Sequence, residues 1–270
     1  MATAFSPANI SCIFRPYEDS DPKKTGSLGV GFTVNKGVTV SVSKAPLHHL
    51  LFNYHNVDMP TVESVLDMLT HEGIYVSIES ELPLGVGFGL SGACALATAY
   101  AVNDLLKLRK SNHELAMIAH VAEVNNKTGL GDVCGQFNGG FQMKTKIGHP
   151  LVSERKEIDV KTIYCDIFSA LETKSVLSNT LLKEKIMNAG ELAVMKIAEK
   201  KKLSFKELCR LSNEFAESSG LLSPEAHHAI MTSNANTAMM MLGNAIYSDS
   251  PKGMKNPITL QLSQQGAHLL

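Results

Sequence analysis

Pro83-Leu84-Gly85-Val86-Gly87-Phe88-Gly89-Leu90-Ser91-Gly92-Ala93 is the stretch of this sequence best suited to chemistry. Four glycines and one small hydroxyl stand directly before a long run of small residues that reads as a helix. Backbone N–H groups freed of side chains, at the positive end of a helix dipole, make a site for a phosphate-like anion. Ser91 adds a hydroxyl for a phosphate or a metal-bound water. The competing reading is a flexible turn with a helix cap, but glycine at this density weakens helix and strand alike. No G-x-x-x-x-G-K-[ST] occurs, which excludes a Walker loop. Gly87 to Gly92 satisfies G-x-G-x-x-G, yet the context fails for dinucleotide binding. The helix that follows leads to another helix, not to a strand ending in an acidic residue, and Pro83 suits a buried central strand badly.

The elements that must position this turn begin with strands. Ile10 to Phe14 is a short apolar run, Glu18 to Gly26 is a polar loop, and Val30–Val34 and Val38–Val42 flank Asn35-Lys36-Gly37, a hairpin signal. Apolar spacing predicts a helix over 61–72 with Gly73 as its stop, then a strand over 74–78. A small-residue helix over 93–108 follows, then a helix over 112–124 with Asn112 as N-cap. Gly139-Gly140 reads as a turn into a strand. Later come a strand at 161–167, a helix at 181–202 with a lysine-rich solvated end, and a helix at 204–218. Ser223 and Pro224 open a further helix, and 258–262 alternates as a closing strand. Met239 to Met241 read as core packing on a helix. Strands cluster instead of alternating with helices, which favours an α+β fold. The boundary between two domains, 1–150 and 151–270, is placed near Ile147-Gly148-His149-Pro150.

The 270 residues are 44% hydrophobic and 19% charged, enough apolar content to exclude disorder. With 25 basic against 26 acidic residues and no Trp, neither a polyanion-binding surface nor a stacking platform for nucleic acid is expected. No apolar run approaches the ~20 residues of a membrane span, and the amino terminus lacks a basic n-region, so a soluble, cytoplasmic protein is expected. Five widely spaced cysteines without a CxxC argue for buried free thiols over a disulfide framework or zinc site. The histidines, among them His71, His113 and His120, show no ligand spacing and read as structural, capping or surface residues.

The glycine-rich stretch resembles the phosphate-binding motif of the GHMP kinases, the small-molecule kinases of galactose, homoserine, mevalonate and phosphomevalonate. That motif reads P-x-G-x-G-L-G-S-S-A. Here Phe88 stands for Leu, Leu90 stands for the first Ser, and Ser91 falls on the second. The variant resembles the archaeal subgroup that acts on pantoate. Phe5 to Ile10, Thr25 to Phe32, Ala122-Glu123 to Gly131-Asp132 with Gly139-Gly140, and Met241 to Asn244 resemble further segments of that subgroup. The likeness therefore covers most of the chain.

The resemblance implies a two-domain α+β architecture, with an N-terminal domain like that of a small-subunit ribosomal protein and a ferredoxin-like C-terminal domain. It implies a kinase using ATP and Mg²⁺ to phosphorylate pantoate in coenzyme A synthesis, with a homodimer as an assembly the family allows. Gly85, Val86, Gly87, Phe88, Gly89, Leu90, Ser91, Gly92 and Ala93 would wrap the triphosphate. Ser91 and Glu123 would hold Mg²⁺, although a carboxylate near a helix end is ordinarily solvated. Asp132 would take or orient the acceptor hydroxyl proton, with an Asx turn as the alternative; its flanking glycines would let the backbone approach a ligand. Asn9, Arg15, Lys24 and Ser27 are the candidates for pantoate. Its carboxylate needs a cation or an N–H cluster, and Arg15 is placed before Lys23 and Lys24 because it follows a buried-looking run. Two departures stand out. Asn9 occupies a position where several members carry a lysine supporting the acidic residue; an amide can donate a hydrogen bond but cannot lower a carboxylate pKa as an ammonium does. The glycine-rich third motif is replaced by Asn234 to Asn244. A kinase of another small alcohol, such as mevalonate or homoserine, and a non-catalytic ligand-binding relative are the alternatives. An oxidoreductase using the G-x-G-x-x-G is a third.

Overall fold

Two long antiparallel strands, β1 (Ala2–Tyr17) and β2 (Gly26–Lys44), form the spine of the molecule. The structure, a computed structural model, describes residues 1–170, 180–200 and 202–270. The hairpin expected at Asn35-Lys36-Gly37 is absent, because β2 runs straight through those residues. Pairing passes from Pro7↔Gly37 to Asn9↔Thr33, so three residues of β2 oppose Ala8 alone. Pro7 has no N–H for the ladder, and the extra residues are taken up as a bulge that bends the pair and re-aims Asn9. A tertiary partner thus absorbs what local propensity reads as a turn.

The two halves of β2 have different outer neighbours. Its later half pairs with β5 (Ile74–Glu79), and its earlier half pairs with β6 (Phe141–Lys144). Two short strands that sequence periodicity missed, β3 (His49–Phe52) and β4 (His55–Asn56), extend the sheet beyond β5. From the far side of residue 150, β7 (Glu154–Lys156) pairs with β6 and β12 (His268–Leu269) pairs with β1. Strands from the second half of the chain therefore complete the first sheet.

Four helices cover this sheet. The helix expected over 61–72 is α1 (Pro60–Leu69), ended at Thr70 before Gly73 is reached. The small-residue helix is α2 (Leu90–Leu106), whose alanines at 93, 95, 97, 99 and 101 are buried. Small side chains let it pack closely against β1, β2 and its helical neighbours at once. It begins at Leu90 instead of Ala93, which draws Ser91 and Gly92 into its first turn. The cap of α3 (Asn112–Asn126) is Ser111, not Asn112; Ser111 and Glu114 cap each other reciprocally. A seven-residue helix that periodicity does not reveal, α4 (Asp132–Asn138), starts on Asp132 itself.

The second sheet has the order β11 (Ile258–Gln261), β8 (Thr162–Ser169), β10 (Asn244–Ser248), β9 (Thr237–Met239), antiparallel throughout. Three more helices follow: α5 (Thr180–Ala198) packs on β1 and on α6 (Phe205–Ser219), α6 also packs on β9, and α7 (Pro224–Thr232) packs on β9 and β10. The helix expected to reach Lys202 ends at Ala198, and Lys201 lies outside the described residues. Ser204 and Ser223 cap α6 and α7 as N-terminal hydroxyls do, with Pro224 at the first helical position. Met239 to Met241 are buried, as expected, but they form a strand end and a turn instead of a helix. Phe14 meets Phe215 edge to face at 5.6 Å, joining β1 to α6. This mixed, two-sheet architecture is the α+β fold anticipated. Among the described residues, no helix is long and apolar enough to cross a membrane.

His120 ties α3 to the loop before β2: its Nε2 lies 2.8 Å from the Thr25 carbonyl oxygen, and burial pushes its pKa down to about 4. The folded protein keeps this imidazole neutral while the unfolded chain takes up a proton below its ordinary value. Stability should therefore fall as pH drops from the ordinary histidine value to about 4, by about 3 kcal/mol from this group. Urea midpoints of the parent and of His120→Gln across that range test it; parallel pH profiles for the two would refute the assignment.

Candidate active site

The glycine-rich stretch forms a loop hung from buried anchors. Val86 and Phe88 point into the core, and the Phe88 carbonyl accepts the Asn9 N–H at 3.0 Å. Gly85, Gly87 and Gly89 all hold left-handed backbone, with φ of 75°, 95° and 61°. Gly89 is the N-cap of α2, and no side chain caps this helix. A Cβ on Gly89 would stand 2.8 Å from the Asp132 carboxyl carbon, so glycine is required both by the backbone and by that neighbour. The N–H groups opening α2 thus face an anion site without a competing side-chain acceptor. Ala93 takes no direct part, since its N–H is bonded to the Gly89 carbonyl at 3.2 Å.

Glu123, on α3, is buried against this helix start. Its Oε1 accepts the Ser91 and Thr128 hydroxyls, each at 2.6 Å, and Thr61 links the two hydroxyls at 3.3 and 2.9 Å. Burial pushes its pKa up to about 7; the hydroxyls oppose that shift and the charge of Asp132 adds to it. It makes no ion pair among the described residues. The expectation that the glycines of Thr128 to Asp132 admit a ligand is modified here. A Cβ on Gly129 would strike Glu123 Oε2, and one on Gly131 would strike Lys144 Nζ. These glycines make room for functional side chains.

Asp132 opens α4 beside the loop. Its Oδ1 accepts Asn9 Nδ2 at 2.7 Å and the Ser11 hydroxyl at 3.2 Å. Asn9 is therefore a neutral clamp on this carboxylate. The cation arrives from elsewhere: Lys144, at the end of β6, donates its ammonium to Ser27 Oγ at 3.0 Å and to the Gly131 carbonyl at 3.1 Å. Burial lowers its pKa, against the opposing pull of Cys134 and Asp132. Sequence reasoning missed Lys144. It stands in the strand after Gly139-Gly140 with nothing local to mark it, and only the pairing of β6 with β2 sets it beside Ser27.

Two adjoining cavities result, both lined by Ser11. A cleft of about 80 Å³ is lined by the glycine loop, Ser91, Glu123, Thr128, Asp132, Met241 and Leu242. A smaller one of about 20 Å³ holds Asn9, Ser27 and Lys144 among its polar groups, with Ile13, Leu28 and Val30 among its apolar walls. Of the four residues anticipated for the acceptor, Asn9 and Ser27 are present and Arg15 and Lys24 are not. A second register shift, between Ser11 and Ile13, turns β1, and Arg15 pairs with Glu191 on α5. Lys23 and Lys24 are exposed in the loop before β2. The segment that replaces the third motif closes the far wall: the Met241 N–H donates to the Ser11 carbonyl at 3.0 Å. No group of three or more His, Cys, Asp or Glu suited to a metal occurs among the described residues.

Comparison with known proteins gives the site its context. Residues 57–140 match the family profile of the GHMP kinases N terminal domain. The chain is 31% identical over 273 residues to pantoate kinase of Methanocaldococcus jannaschii, across 96% of this chain and 99% of the relative. It is 32% identical over 257 residues to pantoate kinase of Methanospirillum hungatei, across 91% and 86%. A solved phosphotransferase related to the CoA biosynthesis pathway superposes with a TM-score of 0.85 at 25% identity, over 99% of this chain and 98% of that one. Homoserine kinase from Cytophaga hutchinsonii shares the fold, with a TM-score of 0.67 at 17% identity.

Proposed function

The chain belongs to the GHMP kinase family, and from that membership we infer that it is an ATP-dependent kinase of pantoate. The observation that carries the reading is the joining of a phosphate-type cleft to a cavity holding a buried ammonium, with Asp132 between them. Phosphoryl transfer demands positioning and charge stabilisation more than covalent chemistry from the protein. The backbone N–H groups of 85–92 receive the triphosphate at the opening of α2. Asn9 and Ser11 fix one oxygen of Asp132, and the other meets the primary hydroxyl of pantoate, taking or orienting its proton. Lys144 and Ser27 receive the carboxylate of pantoate as charge-assisted and neutral donors. Ile13, Leu28 and Val30 suit its branched hydrocarbon centre.

The residues present also fit Mg²⁺. Glu123 is a buried carboxylate with hydroxyl partners only, and Ser91 Oγ is one of them; an oxygen-seeking cation that keeps most of its waters suits that donor set. Bound there with ATP, Mg²⁺ supplies charge neutralisation at the phosphate oxygens. Glu123 has to be ionised to hold it. Because burial holds its pKa near 7, affinity for Mg²⁺ with ATP should rise as pH rises to about 7 and then level, with proton release below that value. Calorimetry in buffers of different ionisation enthalpy counts the proton. Glu123→Gln should weaken Mg²⁺ binding and release none. A parent protein that releases no proton at pH 6 would remove Glu123 from the metal site.

The function itself is tested by coupled ADP release with pantoate, mevalonate and homoserine. Turnover is expected with pantoate. Turnover with homoserine or mevalonate and none with pantoate would move the protein to another acceptor, and no acceptor-dependent ADP release at all would favour a ligand-binding relative.

A further inference from the structure

The second sheet has a face that no part of the mechanism uses. Phe168 and Asp166 of β8, Ile246 of β10 and Thr237 of β9 form a floor there, α7 makes one wall through Ala229, and the loop 252–255 makes the other. The space between is about 530 Å³, within the range of small-molecule pockets. Its acidic groups are already engaged. Asp166 accepts the backbone N–H of Lys255 at 3.0 Å and of Asn256 at 3.4 Å, and Glu225 lies 3.5 Å from the Asn244 amide. Its cations are not: Lys252 and Lys255 are exposed on the rim and make no ion pair among the described residues. The charge left for a ligand is positive, above a lining that is mostly apolar in area.

The floor is also connected to the catalytic cleft. Strands β9 and β10 are joined by the turn 240–243, where Met241 bonds to Ser11 and Leu242 lines the cleft in a left-handed conformation, φ 61°. Asn244, directly after that turn, accepts the hydroxyl of Ser223, the N-cap of α7, at 2.6 Å. One wall of the outer cavity and one wall of the phosphate cleft therefore hang on the same turn.

We propose that this outer cavity binds an organic anion with an apolar body, and that its occupancy is felt at the phosphate loop through the turn 240–243. The site stands whichever alcohol the kinase phosphorylates. Anilinonaphthalene sulfonate is a suitable probe, since it joins an aromatic body to one anionic group. Titrated into the full-length protein in saturating ATP, it should still bind with one equivalent per chain. Lys252→Glu with Lys255→Glu, both on an exposed loop, should weaken it by about tenfold or more. Ala229→Arg, which fills the cavity from α7, should abolish it. ATP affinity measured with and without the probe should differ by about twofold or more, and ATP should change probe affinity by the same factor. Displacement of the probe by ATP, or binding that survives both sets of substitutions, would refute the site. ATP affinity that is the same with and without the probe would refute the coupling.

Discussion

Asp132→Ala is expected to lower kcat by about 10²–10⁴-fold while ATP still binds as it does to the parent protein. Asp132 packs against Gly89 of the loop; its anchored oxygen is held by Asn9 and Ser11, and its free oxygen faces the cleft. Loss of the carboxylate removes the group that meets the acceptor hydroxyl and leaves the anion site intact. Asp132→Asn separates two ways of working. The amide keeps the shape and one acceptor oxygen but cannot take a proton. If the asparagine variant keeps most of the activity, Asp132 works by orientation; if it falls as far as alanine, proton transfer is its task. Single-turnover measurement with nucleotide binding by calorimetry reads both. An alanine variant with parental kcat would take Asp132 out of the reaction.

Lys144→Met should raise the KM for pantoate by about 10²–10³-fold, the usual consequence of removing one partner from a buried charge pair. The same substitution should make the ligand-free protein more stable. Burial lowers the Lys144 pKa below its ordinary value, so the unfolded chain binds a proton more readily than the folded one, and the penalty is present at every pH below that ordinary value. An apolar side chain of similar length removes it. Thermal melts should then show a higher Tm for Lys144→Met without ligand, and a stabilisation by pantoate in the parent that the variant lacks. A variant with unchanged KM, or one whose Tm rises with pantoate as the parent's does, would sink the carboxylate assignment.

The parts of the site that were legible in the sequence are those carried by local pattern. Glycines before a small-residue helix mark an anion site because the backbone itself is the binding group. Ser91 comes with that helix, and Asp132 is marked by its flanking glycines. Boundaries were less legible: α2 starts earlier than its first alanine, and Ser111 caps α3 in place of Asn112. The hairpin signal at Asn35-Lys36-Gly37 failed for a different reason. Local propensity favours a turn there, but the ladder with β1 continues past it and turns it into a bulge.

By itself the sequence determined an α+β chain with a phosphate-type loop at a helix N-terminus, and its resemblance to the GHMP kinases pointed to Glu123 and Asp132 beside that loop. Tertiary structure alone decided which cation joins them. Arg15 was the choice by position along β1, yet a register shift carries it to Glu191, while β6 pairing with β2 brings Lys144 to Ser27. The physical reason is that periodicity encodes the face a residue occupies within its own element. Which elements lie side by side, and in what register, is set by long-range packing.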